Sequence, residues 1–218
     1  MHLVRSLALA GLLLSLVGCR SNNSLPQQDP QVRGPIRIQL DGSNPAASEG
    51  VLDRAEGPLR FTVGHGRHGI ACEGTTFEEG ITPLGTFQVN AILSNDRFEM
   101  DPALVEQSGK SEEELRESLF TNMNSIDFKG DGETGEYGIG YISLAPVPLT
   151  DQPFRFNTYD GVFRWYSFAI HGTNDESRIG KAVTGGCINT GRLTMGVLLD
   201  TVELGDEVVI SSDSPCLP

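Results

Sequence analysis

A series of short segments with apolar residues at every second position most restricts the fold of this chain. Apolar and polar residues alternate through Ile36–Leu40, and residues 59–64 repeat the pattern. A period of two residues predicts half-buried β-strands. Further strands are predicted by apolar runs or turn residues at 69–72, 85–89, 139–144, 162–170 and 205–210. The sequence therefore predicts a mostly β domain.

Helical patterns are few and short. Ser111 and Glu114 form a capping box, and apolar residues at helical spacing follow it, so a short amphipathic helix is expected at residues 111–123. Residues 102–107 suggest a helical turn, and residues 191–202 show helical spacing. Residues 41–57 are rich in Gly, Ser, Asn and Pro and are expected to form a loop. One or two short helices are expected beside the strands.

The N-terminal segment has the pattern of an export signal. Arg5 precedes an apolar run from Leu7 to Val17, which is short for a membrane span, and Gly18-Cys19 follows it. This end resembles a bacterial lipobox, which implies cleavage after Gly18 and a lipid on Cys19. An ordinary signal peptide with an incidental cysteine is the alternative. Residues 1–18 are thus expected to be a signal peptide, and the polar, Pro-rich residues 19–35 a flexible tether.

Composition excludes some partners. The chain has 218 residues and a formal net charge of −13, which opposes binding to nucleic acid. Cys72-Glu73-Gly74 lacks zinc-ligand spacing, so no metal site is expected there. In an oxidising compartment Cys72 and Cys216 either form a disulfide or remain separate thiols. The sequence does not set the oligomeric state.

Residues 170–189 carry the chemistry. His171 precedes Cys187 by sixteen positions, and Gly185-Gly186 stands directly before the cysteine. A thiol attacks as the thiolate, so it needs a nearby base, and imidazole is the commonest one near neutral pH. Two glycines allow a tight turn that can present backbone N–H groups to a reacting carbonyl. The segment therefore offers a nucleophile, a base and an oxyanion-binding turn.

The same residues resemble the signature of the L,D-transpeptidases, the family with a YkuD-type catalytic domain. The matching elements are His171-Gly172-Thr173, Thr184-Gly185-Gly186-Cys187-Ile188-Asn189 and, upstream, Thr82-Pro83-Leu84-Gly85-Thr86-Phe87. One position departs from the signature, because the family has a second His where this chain has Gly185. The resemblance implies a β-sandwich or barrel-like catalytic domain at residues 36–218, in which residues 94–138 form an insertion or lid.

The resemblance also assigns roles. Cys187 would be the nucleophile, His171 the base, and the Gly172 carbonyl would orient the imidazole. Gly186 would help to bind the oxyanion, and Thr184 would order the loop. Asn189 would contact the stem peptide or the loop, and Trp165 and Tyr166 would line the substrate groove or belong to the core.

By this resemblance the protein is an exported, lipid-anchored enzyme that faces the cell wall and acts on peptidoglycan. Cys187 would form a thioester with a tetrapeptide stem, and an amine would resolve it, which crosslinks the wall or attaches a protein. One alternative is an L,D-carboxypeptidase or amidase, in which water resolves the same thioester. Another is a catalytically silent lipoprotein that binds the wall. A papain-like hydrolase fits poorly, because His171 precedes the cysteine so closely.

Overall fold

The computed structural model describes six stretches of the chain, residues 34–73, 79–122, 135–147, 158–159, 162–163 and 168–217. They contain fourteen strands: β1 (Ile36–Leu40), β2 (Glu49–Leu52), β3 (Leu59–Gly66), β4 (Gly69–Ala71), β5 (Ile81–Pro83), β6 (Gly85–Ser94), β7 (Phe98–Met100), β8 (Gly140–Pro146), β9 (Thr158–Tyr159), β10 (Val162–Phe163), β11 (Ala169–His171), β12 (Ala182–Thr184), β13 (Ile188–Thr190) and β14 (Glu207–Ser212). The α-helices are α1 (Pro102–Ser108), α2 (Glu112–Asn122) and α3 (Arg192–Thr201). None of these described helices is long and apolar enough to cross a bilayer.

Eight strands hydrogen-bond in a closed ring, in the order β3, β13, β11, β8, β6, β14, β1, β2 and back to β3. The β1–β14 and β11–β13 pairs are parallel, and the other pairs of the ring are antiparallel. A closed ring leaves none of its strands as an unpaired edge. The prediction of a mostly β, barrel-like fold is therefore confirmed.

The alternation read from the sequence sets the inner face of the barrel. In β1 the side chains of Ile36, Ile38 and Leu40 are buried, and those of Arg37 and Gln39 are exposed. Each such buried side chain contributes roughly 1.5–3 kcal/mol relative to an exposed one. The α3 residues Met195, Leu198 and Leu199 join the same core cluster. Helix α3 is thus fixed to the barrel by its apolar face.

One segment differs from the prediction. Residues 49–52 lie within the stretch expected to be a loop, yet they form β2, which pairs with both β1 and β3. Gly50 faces Phe61 so closely that a Cβ at residue 50 would overlap the aromatic ring. The segment lacks a strong strand pattern of its own, so its pairing with two neighbours decided its structure.

Two predicted elements have different bounds. The helical turn expected at residues 102–107 is the helix α1, which Asp101 caps by accepting a hydrogen bond from the Ala103 N–H. The strand expected at residues 162–170 is described only as β10 and β11, and residues 164–167 lie outside the described part. Residues 1–33 also lie outside it, and with them the predicted signal peptide and nearly all of the tether.

A disulfide attaches the C-terminal tail to the barrel. Cys72 and Cys216 are bonded across a sequence separation of 144 residues. Beside this bond the Cys72 N–H donates to the Leu217 carbonyl at 2.8 Å, and the Leu217 N–H donates to Ile70 at 2.8 Å. The tail is therefore held by a covalent bond and by two backbone hydrogen bonds.

Removal of this disulfide should lower the free energy of unfolding, because the crosslink restricts the unfolded chain. The double variant Cys72→Ala/Cys216→Ala is expected to lose about 2–5 kcal/mol in urea unfolding. Reductant should destabilise the wild type by a similar amount and leave the double variant unchanged. Equal unfolding midpoints of the two proteins without reductant would contradict the expectation.

Candidate active site

The parallel pairing of β11 with β13 brings the predicted base and the predicted nucleophile to neighbouring strands. His171 on β11 is the register partner of Asn189 on β13, and Cys187 directly precedes β13. The backbone of Ala169, two residues before His171, hydrogen-bonds the Cys187 thiol. Two residues sixteen positions apart in the sequence are thus brought to the spacing between adjacent strands.

His171 is held in one tautomer. Its side chain is buried, with 5% of the residue exposed, and Nδ1 lies 2.6 Å from the Gly172 carbonyl oxygen. Because a carbonyl only accepts, Nδ1 must carry the proton, which leaves Nε2 with its lone pair. The pKa of His171 is lowered to about 4, mainly by burial and to a smaller extent by the charge of Arg178, against the raising effect of the hydrogen bond to Gly172. At neutral pH this imidazole is uncharged and available as a base.

Cys187 is uncharged at rest as well. The residue is partly exposed, yet desolvation raises the pKa of its thiol to about 12. Hydrogen bonds from the Ala169 backbone and the Tyr141 side chain lower this pKa in part, and the charge of Glu136 raises it. At pH 7 the resting thiol is therefore protonated, so attack requires a base to remove the proton.

Tyr141 links the two reactive groups. Its ring stacks on the imidazole of His171, with centroids 6.2 Å apart and planes at 5°, and its hydroxyl hydrogen-bonds the Cys187 thiol. Tyr137 contacts the imidazole with centroids 4.4 Å apart. The sequence analysis missed both tyrosines. Position in a predicted strand was the only available signal for Tyr141, and the register that pairs it with His171 is a tertiary property.

The loop before the cysteine is ordered by the hydroxyl of Thr184. This oxygen donates to the Cys187 carbonyl at 2.6 Å and accepts from the Gly186 N–H at 3.2 Å. Gly186 has a φ of 124°, a conformation that favours glycine. Its N–H would have to leave Thr184 in order to bind an oxyanion, and the oxyanion role of Gly186 stays a prediction.

The upstream motif fixes the same loop from the other side. The Thr82 hydroxyl is completely buried, accepts from the Gly66 N–H at 2.7 Å and donates to the Gly186 carbonyl at 2.8 Å. The Gly80 N–H donates to the Gly185 carbonyl at 2.8 Å. The sequence identified Thr82 as part of a turn, and the fold makes its side chain the bridge between β3 and the cysteine loop.

Asn189 lies in the interior. It is 1% exposed, and a Cβ at Gly64 would overlap its side-chain oxygen. Neither amide atom of Asn189 has a hydrogen-bond partner among the described residues. The burial leaves no surface for a stem peptide, which favours the loop role over direct substrate contact. Trp165, Tyr166 and the lipidation candidate Cys19 lie outside the described residues.

Two helices of the predicted insertion line one side of the site. Leu104 of α1 and Leu115 of α2 are buried in a second apolar cluster together with Tyr141 and Ala169, and Cys187 packs against this cluster. The described part of residues 94–138 thus contributes to the low polarity that shifts both pKa values. Within the described stretches, no group of three or more His, Cys, Asp and Glu side chains is placed to hold a metal ion.

Comparisons with known proteins agree with the motifs. Residues 44–210 match the model of the YkuD family, described as the L,D-transpeptidase catalytic domain. No curated protein matches the chain.

Three solved structures illustrate the similarity. An L,D-transpeptidase from Mycobacterium smegmatis is 14% identical, with a TM-score of 0.38, over 81% of this chain and 58% of that chain. The L,D-transpeptidase of Xylanimonas cellulosilytica is 15% identical, with a TM-score of 0.37, over 83% and 62%. The catalytic domain of an E. faecium L,D-transpeptidase acylated by ertapenem is 18% identical, with a TM-score of 0.32, over 81% and 96%. This chain therefore spans about three fifths of the first two structures.

Replacement of Thr82 should loosen the cysteine loop. In Thr82→Val the Gly66 N–H and the Gly186 carbonyl lose a buried partner, which should cost about 1–3 kcal/mol of unfolding free energy. Thr82→Ser keeps the hydroxyl and is the matched control, with a loss expected below about 1 kcal/mol. Both variants are compared by urea unfolding. Equal losses for Val and Ser would show that the hydroxyl is not the bridge.

The free energy of unfolding should fall as the pH drops from 6.5 to 4. In this range the unfolded chain binds a proton at His171, and the folded protein does not. The neutral imidazole contributes stability that is complete above pH 6.5 and is lost on acidification, on the order of 3 kcal/mol. His171→Gln should flatten the pH profile of unfolding in this window. The variant keeps the pH dependence of stability that His65 contributes, since burial lowers the pKa of His65 too. Parallel profiles for wild type and variant would refute the expectation.

Proposed function

Because the chain belongs to the YkuD family of L,D-transpeptidase catalytic domains, we propose that it crosslinks peptidoglycan through a thioester on Cys187. The observation that carries the proposal is the placement of that thiol. Cys187 directly precedes β13, which pairs with the strand that carries His171. The hydrogen bond from Nδ1 of His171 to Gly172 leaves Nε2 unprotonated and able to act as a base. The Tyr141 hydroxyl, which hydrogen-bonds the thiol, favours its ionised form.

The first half-reaction is acylation. As a stem tetrapeptide binds, Nε2 of His171 removes the thiol proton, and the sulfur attacks the carbonyl of the third residue. The C–N bond to the terminal D-alanine breaks, and the imidazolium returns the proton to the leaving amine. Two neutral groups suit this cycle, since no stable ion pair must be broken before attack.

The second half-reaction is transfer. An amine of another stem, or of a protein, attacks the thioester while His171 takes its proton, and the thiol is regenerated. The product is a new amide bond, and the reaction needs no cofactor. The family's second His is absent at Gly185, so in this proposal the proton transfers are assigned to His171 alone.

We also propose that the enzyme acts outside the cytoplasm as a lipoprotein. The lipobox-like end at Cys19 and the Pro-rich residues 20–35 would let the domain reach the wall from a membrane. The Cys72–Cys216 disulfide supports an oxidising compartment.

The chemistry can be tested with a carbapenem, which should acylate Cys187. Intact-mass measurement of the purified protein should show one adduct, and Cys187→Ala should show none. A His171→Gln variant should acylate at least 100-fold more slowly, because the neutral thiol then lacks its base. A folded wild type that forms no adduct would instead support a silent wall-binding protein.

The acceptor is identified with purified tetrapeptide muropeptides. Transpeptidation yields crosslinked dimers, which mass spectrometry detects together with free D-alanine. Tripeptide without dimers would overturn the proposal in favour of an L,D-carboxypeptidase.

A further inference from the structure

Gly185, which stands where the family has a second His, lies beside the guanidinium of Arg67. Arg67 belongs to the connection between β3 and β4. Gly185 is exposed, and Arg67 Nη1 lies 3.8 Å from the place where a Cβ at residue 185 would stand. That spacing is ordinary van der Waals contact, and the φ of Gly185 does not demand glycine. The site therefore has open surface directly beside a guanidinium group.

Backbone hydrogen bonds fix Arg67 in this place. Its N–H donates to the Thr184 carbonyl at 3.0 Å, and the next residue, His68, donates to the Gly80 carbonyl at 2.8 Å. Gly80 in turn donates to Gly185. The segment carrying Arg67 is thus bonded to the cysteine loop through main-chain groups, which a change of the Arg67 side chain leaves in place.

The guanidinium already binds a carboxylate. Nη2 donates to Glu79 Oε1 at 2.8 Å, and this bond is the main cause of the lowered pKa of Glu79. The side chains are 41% and 71% exposed, so the pair contributes little to stability and exchanges partners readily. Among the described residues, the only other hydrogen bond of the guanidinium is a long one of 3.5 Å from Nη1 to Thr184. Arginine has five N–H donors, so capacity for a second carboxylate remains.

The distance from Arg67 to the nucleophile suits a peptide substrate. Gly185 precedes Cys187 by two residues, which span at most about 7 Å. The guanidinium is therefore within reach of residues that neighbour a carbonyl bound at Cys187. Because the formal net charge of the chain is −13, an anionic peptide needs a local cation to offset repulsion.

We propose that Arg67 binds a carboxylate of the peptide stem and supplies the substrate-binding charge at the edge of the cysteine loop. This inference rests on the function proposed above and adds a specificity residue to it. Bidentate pairing with a carboxylate is the strongest interaction that a guanidinium makes, and a lysine replaces it only in part. The carboxylate is either that of the diamino acid side chain or that of the terminal D-alanine.

The test measures kcat and KM of the full chain with three tetrapeptides, one unmodified, one amidated at the diamino acid carboxylate and one amidated at the terminal carboxylate. Arg67→Gln should raise KM for the unmodified stem about 10-fold with little change in kcat. The KM of Arg67→Lys should lie between those of the wild type and Arg67→Gln. Amidation of the bound carboxylate should remove the difference between wild type and Arg67→Gln, and so identifies which carboxylate is bound. Arg60→Gln, which removes a similar exposed pair with Glu49, is the matched control and should behave as wild type.

Binding separates this inference from the proposed function. Calorimetry of the unmodified stem with Cys187→Ala and with Cys187→Ala/Arg67→Gln should show an affinity about 10-fold lower for the double variant, whether or not the wild type turns over. Turnover by the wild type with equal KM in Arg67→Gln would overturn the Arg67 proposal alone. Binding without any turnover would overturn the proposed activity alone, and no binding at all would overturn both.

Discussion

The site depends on the parallel pairing of β11 with β13. This pairing sets His171 opposite Asn189 and carries Cys187 to the backbone of Ala169. The register also places Tyr141 of the antiparallel neighbour β8 on the imidazole. A one-residue slip of a strand would turn its side chains to the other face, so the closed barrel, which fixes every register, is a requirement of the chemistry.

Burial determines the protonation states of the reactive pair. Apolar surroundings raise the pKa of the Cys187 thiol and lower that of the His171 imidazole, so both groups are neutral at rest. Such a thiol is protected from stray alkylation and oxidation, since the thiolate is the reactive species. A neutral thiol must lose its proton when it attacks, and the hydrogen bond from Nδ1 of His171 to the Gly172 carbonyl leaves Nε2 with a lone pair that can accept a proton.

The cysteine loop is held by groups that lie far apart in sequence. The Thr184 hydroxyl hydrogen-bonds backbone groups within the loop. Thr82, about 100 residues earlier in the chain, connects the loop to Gly66. Arg67 and Gly80 bond to its first residues through their main chains. The two motifs that identify the family are therefore one structural unit, in which the Thr-Pro-x-Gly turn supports the turn that carries the nucleophile.

The sequence alone determined the strand-rich class, the first strand to the residue and the helix near residue 112, because period-two patterns and capping residues are local signals. It also predicted Cys187 and His171 as the reactive pair from their chemically distinctive side chains. It did not predict β2, which exists through its two neighbours, or the contacts of Tyr141, which follow from strand register. For Asn189 it left contact with the stem peptide or with the loop open, and packing against Gly64, which buries the residue, favours the loop. Only the tertiary structure could show that a guanidinium borders Gly185 and that Cys187 and His171 are both neutral, because distance, desolvation and hydrogen-bond partners arise when segments remote in the chain are packed together.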